Sequence, residues 1–265
     1  MINDIQYSFN VKYKIHRLQL LPGHAKPHKT LTFHDFRLSF VMPVFVIIVA
    51  AGKGKRFCGA KQFYLINGRS ILYYAIEHFE KNKSISNITV AVPKKNIHTV
   101  KKCIREWHIN KVQHVIAGGE KRQDSVYNGL RAIPARSGIV VIHDGARPIV
   151  SQRIITRGVN LVKRYKAVVC GLPVSDTIKY VQKNKVRQTI SRAHLYTVQT
   201  PQFFDLSTLR SAYARVDTNV NFTDDAALVE AVGIPVHIFK GDHDNIKITH
   251  REDIRRIAKI LQCRK

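Results

Sequence analysis

Apolar residues along the chain alternate between two patterns. Short, largely apolar runs rich in β-branched residues occur at 44–49, 88–92, 112–116, 139–142 and 167–172. Such runs suit strands of a parallel sheet, which are covered on both faces. Between them lie segments with helical spacing. Ser70 can cap a helix to about Lys81, with Ile71, Tyr74, Ala75, His78 and Phe79 along one face. A cationic helix is predicted over roughly 96–107, another follows the polar turn 117–122, and a fourth covers about 151–164. This alternation predicts an α/β fold, a doubly wound and mostly parallel sheet with helices on both faces.

The pattern breaks at 173–192. Val174, Thr177, Ile178, Tyr180 and Val181, then Val186, Thr189 and Ile190, flank the polar tip Lys183-Asn184-Lys185. This predicts a β-hairpin arm that protrudes from the domain body, either a dimerisation element or a plain surface hairpin. Helices are expected near 206–215 and 223–232, short strands at 236–239 and 245–248, and an amphipathic helix over 251–261. Residues 1–41 carry no sustained period. They read as a disordered leader or an over-called start, with the folded domain beginning near Met42 and running to Lys265.

Within this frame residues 44–62, VFVIIVAAGKGKRFCGAKQ, stand out. A buried strand runs directly into a loop of small residues, Ala50, Ala51, Gly52 and Gly54, whose backbone can approach an anion closely. Lys53, Lys55, Arg56 and Lys61 add four positive charges. A backbone cradle with cationic side chains suits a polyphosphate. The loop is not a Walker A motif, since no G-x-x-x-x-G-K-[ST] string is present. Nor is it a dinucleotide fingerprint, because Phe57 stands at the third glycine position and the second strand ends in the basic Pro93-Lys94-Lys95. The apolar run after Arg37 resembles a signal peptide superficially, but Met42-Pro43 interrupts it. In open α/β sheets ligands bind at the carboxyl ends of the strands. Gly52/Lys53, Gly118/Gly119 and Asp144/Arg147 all follow strand ends, so one convergent crevice is expected.

Composition changes the picture in two respects. The chain has 44 Lys+Arg against 18 Asp+Glu, a net charge of +26. The cations are dispersed rather than gathered in a tail, so an acidic small substrate accounts for them as well as a nucleic acid does. No segment reaches the ~20 apolar residues of a membrane span. The four cysteines, Cys58, Cys103, Cys170 and Cys263, form no C-x-x-C pair. That argues against a zinc ribbon or disulfide framework and fits a reducing cytoplasm.

Asp144 at a strand end beside Arg147 either caps the following turn or, near a polyphosphate loop, helps to hold Mg²⁺. That ion is bound through one or two carboxylates plus substrate phosphates. Asp244 is the candidate second carboxylate. Thr223-Asp224-Asp225 reads equally as a helix N-cap and as part of a substrate site. Arg147, Thr177, Arg192, Thr200 and Lys247 are candidates to clamp a second anion. No nucleophile–base pair stands out, so the chemistry reads as positioning and charge neutralisation, as in nucleotidyl transfer.

The ordered set of strings Ala50-Ala51-Gly52-x-Gly54-x-Arg56, Lys61-Gln62, Gly118-Gly119-x-x-Arg122-x-x-Ser125-Val126, His143-Asp144-x-Ala146-Arg147-Pro148, Pro173-Val174-x-Asp176-Thr177, Thr200-Pro201-Gln202-Phe203, Thr223-Asp224-Asp225-Ala226 and Asp244-Asn245-Ile246-Lys247-x-Thr249 resembles the 2-C-methyl-D-erythritol 4-phosphate cytidylyltransferase family. The resemblance implies a Rossmann-like nucleotidyltransferase of non-mevalonate isoprenoid synthesis. It implies CTP on Ala50, Ala51, Gly52, Gly54, Gly119, Glu120 and Ser125. Arg56, Lys61 and Arg192 would be catalytic. Arg147, Thr177, Thr200, Thr223 and Lys247 would bind the acceptor, and Asp144 with Asp244 would hold Mg²⁺. It further implies a homodimer through the hairpin arm, with Arg192 reaching the partner's site, and no membrane or specific nucleic-acid partner. Ala60 stands where the family has proline, and Gly145 where alanine is common. The rival readings are a ribitol-5-phosphate cytidylyltransferase and a basic nucleic-acid-binding protein.

Overall fold

The computed structural model describes residues 42–263, apart from Lys53, Lys55, Arg56, Cys58 and Thr218. The expected leader, 1–41, lies outside the described residues. The first strand, β1, Val44–Val49, lies in the interior of the sheet. Its continuous apolar run serves two cores at once. Val44, Val46 and Ile48 pack with the face formed by Leu72, Ile76, Val100 and Ile154, whereas Phe45 and Ile47 pack with Val126, Leu130, Leu206 and Leu228. Successive side chains of a strand point to opposite faces, so helices on both sides require apolar residues at every position.

After β1 come a short hairpin, β2 (Leu65–Ile66) and β3 (Arg69–Ser70), and helix α1 (Ile71–Glu80). Then follow β4 (Asn87–Val92), α2 (Ile97–Glu106), β5 (Val112–Ala117), α3 (Arg122–Ala132), β6 (Ile139–Asp144), α4 (Gln152–Tyr165) and β7 (Ala167–Pro173). Ser70 caps α1 as expected, its hydroxyl accepting from the Tyr73 N–H at 3.1 Å. The chain continues through β8 (Ile178–Gln182), β9 (Lys185–Ile190), β10 (Tyr196–Asp205), α5 (Leu206–Arg215), α6 (Asp225–Ala231), β11 (His237–Lys240) and α7 (Asp253–Cys263).

The main sheet has the order β11-β7-β10-β6-β1-β4-β5. All its strands are parallel except β10, which runs antiparallel to both β6 and β7. From β1 the chain moves to β4 and β5 on one side, then returns to β6 on the other. The boundary between β1 and β6 is therefore the topological switch point, where an open α/β sheet binds its ligand. Close packing of helix on sheet uses glycine at two points: a Cβ on Gly158 of α4 would overlap the ring of Phe203, and one on Gly129 of α3 would lie 2.6 Å from Ile47 Cγ2.

Three elements differ from the sequence expectation. Strand β10 was not foreseen, because Pro201 argues against a central strand. The register shifts between Gln199 and Gln202, and this bulge accommodates the proline. The β2–β3 hairpin turns on Asn67-Gly68, both with positive φ, a strong local hairpin signal. Residues 245–248 form a loop rather than a strand; Ile248 N–H bonds the Ala146 carbonyl at 2.9 Å, tying this loop to the turn after β6. The arm, β8 with β9, pairs antiparallel around Lys183 and Asn184 as predicted.

Candidate active site

At the switch point lies a cavity of about 1020 Å³. Its walls come from the loop after β1 (Ala50, Ala51, Gly52, Gly54), the turn after β5 (Gly118 to Arg122, with Ser125), the turn after β6 (Asp144 to Ala146), and Lys61, Lys247 and Thr249. The three expected loops thus meet. Glycine is required where two of them touch: a Cβ on Gly118 would overlap that of Ala51 and lie 2.8 Å from Ser125 Oγ. Ser125 Oγ accepts from the Gly119 N–H at 3.0 Å, which shapes the turn. Gly52 faces open space. Ala50 contributes wall rather than a donor, since its N–H is spent on the Ala91 carbonyl at 2.8 Å.

Asp144 is the electrostatic centre. Arg122 Nε lies 3.1 Å from its Oδ1 and Lys247 Nζ 2.7 Å from its Oδ2, with Arg147 Nε at 4.0 Å. Burial alone would raise the carboxyl pKa, but Arg122, Lys247 and Arg147 hold it far below the ordinary range. Asp144 is thus a fixed anion among three cations. Arg122 reaches on to Asp225, 2.6 Å from Oδ2, and Tyr213 donates to Oδ1 of the same carboxylate at 2.9 Å.

Beneath Asp144 the backbone is held by a buried relay. Its N–H donates to Thr200 Oγ1 at 3.0 Å, and the Thr200 hydroxyl lies 3.2 Å from His143 Nδ1. His143 Nε2 lies 3.0 Å from the Arg147 carbonyl. A carbonyl only accepts, so Nε2 carries the proton and Nδ1 accepts from Thr200. Burial pushes the His143 pKa down to about 4, which keeps the ring neutral. Arg147 in turn donates to the Asn245 carbonyl at 2.6 Å, and Asn245 Nδ2 to the Thr200 carbonyl at 2.8 Å.

The candidate residues therefore divide into groups. Ala50, Ala51, Gly52, Gly54, Lys61, Gly119, Glu120, Ser125, Asp144 and Lys247 line the cavity. Arg147 and Thr200 are buried below it. Thr177, Arg192 and Thr223 are exposed and stand outside the described lining. Arg192 donates to the Ser175 carbonyl at the base of the arm, and Thr223 precedes Asp224, the N-cap of α6. Asp244 also stands outside the lining, its N–H donating to Asp242 Oδ1 at 3.0 Å. Arg56 lies outside the described residues.

Sequence reading assigned no role to Arg122, although Gly118-Gly119-x-x-Arg122 announced it. Its two carboxylate partners are distant in sequence, and one-dimensional spacing carries no sign of them. Lys95 and Asn96, in the turn after β4, also line the cavity unforeseen.

Among the described residues no group of three His, Cys, Asp or Glu side chains gathers to form a protein-only metal cage. The Asp144 carboxylate in this cationic cavity instead fits Mg²⁺, which takes one or two carboxylates and draws its other ligands from phosphates and water.

Comparison with known proteins agrees with this geometry. Residues 44–263 match the family model described as IspD, 2-C-methyl-D-erythritol 4-phosphate cytidylyltransferase. The chain is 40% identical over 221 residues to the protein of that name from Clostridium novyi (strain NT), covering 82% of this chain and 95% of the relative. It is 39% identical over 212 residues to the one from Dictyoglomus thermophilum, covering 78% and 92%. Among solved structures, 4-diphosphocytidyl-2C-methyl-D-erythritol synthase from Anaerococcus prevotii superposes with a TM-score of 0.74 at 28% identity, over 84% of this chain and 97% of that one.

Proposed function

Because the chain belongs to the 2-C-methyl-D-erythritol 4-phosphate cytidylyltransferase family, we propose that it transfers the cytidylyl group of CTP to 2-C-methyl-D-erythritol 4-phosphate. The observation that carries this reading is the meeting of the small-residue loop, the Gly118–Gly119 turn and Asp144 around one cavity. In this reading the reaction is a direct in-line displacement, and the Ser125 hydroxyl in the lining serves the turn by accepting from the Gly119 N–H. A phosphate oxygen of the acceptor attacks the α-phosphorus, its bond to the β-phosphate oxygen breaks, and pyrophosphate leaves. What the protein supplies is alignment and compensation of charge.

In this reading the backbone of Ala51, Gly52 and Gly54 receives the triphosphate. Gly119, Glu120 and Ser125 shape the pocket for cytosine and ribose. Lys61, with Arg56 assigned by family resemblance, offsets the charge that develops on the leaving pyrophosphate. Lys247 meets the acceptor's phosphate, above the buried Arg147. Asp144 is the residue that would hold Mg²⁺, and the ion when bound neutralises phosphate charge and orients the triphosphate. Thr177 and Arg192 stand at the base of the arm, so we assign them to the site of a second subunit in a cytoplasmic homodimer. No described helix is long and apolar enough to cross a membrane.

Pyrophosphate release from CTP and Mg²⁺ tests the proposal, with methylerythritol phosphate against ribitol 5-phosphate as acceptor. Release with the first substrate alone is expected. Release with ribitol 5-phosphate instead would reassign the acceptor, and release with neither would refute the reading.

A further inference from the structure

Arg122 occupies the first position of α3, where a cation is unfavourable against the helix dipole. It is also largely buried, at the expense of hydration. Helix stability therefore does not explain an arginine here. Its contacts do. Nε engages Asp144 at the end of β6 and Nη1 engages Asp225 at the start of α6, while Nη2 is buried with no hydrogen-bond partner. One planar fork thus braces two carboxylates on different elements.

The far end of the brace is rigid. Asp225 is 1% exposed and is held additionally by Tyr213, whose own burial excludes water. The near end is not symmetrical. The Lys247 side chain on Asp144 Oδ2 is 41% exposed, against 25% for Arg122 on Oδ1. One counter-ion of Asp144 is thus anchored in the protein and the other reaches it across the open cavity.

We infer that Arg122 is a positioning residue: it fixes the orientation of the Asp144 carboxylate by tying it to Asp225 and Tyr213, so that Oδ2, with its partner Lys247, faces the cavity. The inference rests on the cytidylyltransferase reading. A guanidinium spans both carboxylates and an ammonium does not, so charge alone does not fulfil the role. The same turn of α3 also holds the loop before α6, because Gln123 donates to the Val220 carbonyl at 2.9 Å and accepts from the Phe222 N–H at 3.0 Å. The brace and this latch together unite the first turn of α3 with the start of α6.

The test compares Arg122→Lys and Asp225→Asn with the wild-type chain, measuring steady-state kinetics, CTP affinity by calorimetry and thermal unfolding. Both variants are expected to lower kcat at least tenfold, with KM and Kd for CTP changed less than threefold in molecules that remain folded. Wild-type kcat in folded Arg122→Lys would show that charge suffices and overturn the inference. So would a loss confined to CTP affinity, which would make Arg122 a direct nucleotide contact, or a loss that merely tracks the unfolded fraction. If Arg122→Lys fails to fold, the near-isosteric Asp225→Asn and Tyr213→Phe decide on the same criteria. An inactive wild-type chain would count against the cytidylyltransferase reading, whereas active wild type with unimpaired variants would defeat this inference alone.

Discussion

The ammonium of Lys61 donates to the carbonyl oxygen of Ile248 at 2.6 Å, joining residues 187 positions apart. This bond links the segment after the small-residue loop to the loop that carries Lys247, and it sets a cation at the cavity wall. Replacing Lys61 by alanine removes both the charge and the link. Turnover should fall on the order of 10²-fold, the usual consequence of losing a charge-stabilising donor. Lys61→Met retains most of the side-chain volume and should fall equally. Near-normal steady-state turnover in both variants would remove Lys61 from the mechanism.

Gly118 lies against Ala51 and Ser125 with no room for a methyl group. Gly118→Ala should push the β1 and β5 loops apart and distort the turn that Ser125 holds. Overpacking of this kind costs about 1–3 kcal/mol, so CTP affinity is expected to weaken by roughly tenfold or more. Calorimetric titration with CTP measures it. Unchanged affinity would mean that the contact between these two loops does not shape the nucleotide pocket.

His143 titrates near pH 4 in the folded protein because it is buried, whereas an unfolded histidine titrates near 6.5. Between those values the unfolded chain takes up a proton that the folded chain refuses. Stability therefore rises with pH across this window, and it is lost as pH falls from about 6.5 to about 4. The full effect is on the order of 3 kcal/mol. Asp144, with its depressed folded pKa, drives the same loss at more acidic pH. Urea unfolding at intervals between pH 7 and 4 measures the slope, and His143→Gln should flatten it by one proton. An unaltered slope in that variant would place the titration elsewhere.

The arm exposes Tyr180, Val181 and Val186, each at least half accessible to solvent. An isolated two-stranded hairpin is marginal in water, so the dimer reading gives these side chains a partner surface. Val181→Glu combined with Val186→Glu should shift the mass in light scattering from dimer to monomer. The thermal midpoint of the domain should change little, because the arm lies outside all three described cores. Turnover should fall by about tenfold or more if the arm completes a partner's site. A variant that remains dimeric, or a fully active monomer, would contradict the assigned role of the arm.

Much of this molecule is local in origin. The interior strands β1, β4, β6 and β7 are largely apolar because each is covered on two faces, whereas the edge strand β5 carries Gln113 and His114 at exposed positions. Ser70 and Ser151 mark helix starts because a hydroxyl satisfies an N–H that the first turn leaves open. The arm was legible from alternation around a Lys-Asn-Lys tip, and the glycine-rich loop from its lack of side chains. The convergence of three loops also followed from sequence, because strand ends in a doubly wound sheet share one edge. Strand β10 was hidden by Pro201, whose lost donor is tolerated only where the bulge between Gln199 and Gln202 relieves the pairing. The roles within the site were hidden for a different reason. Lys247 and Arg122 reach Asp144 from other elements of the chain, while Thr200, expected to bind the acceptor, bonds the backbone of Asp144 and the ring of His143. The order of residue types along the chain determined the layers, the strand ends and the chemistry on offer. Only the tertiary structure decided which cation is anchored to Asp144 and which approaches it across the cavity, because ion pairing depends on distance and burial that sequence separation does not encode.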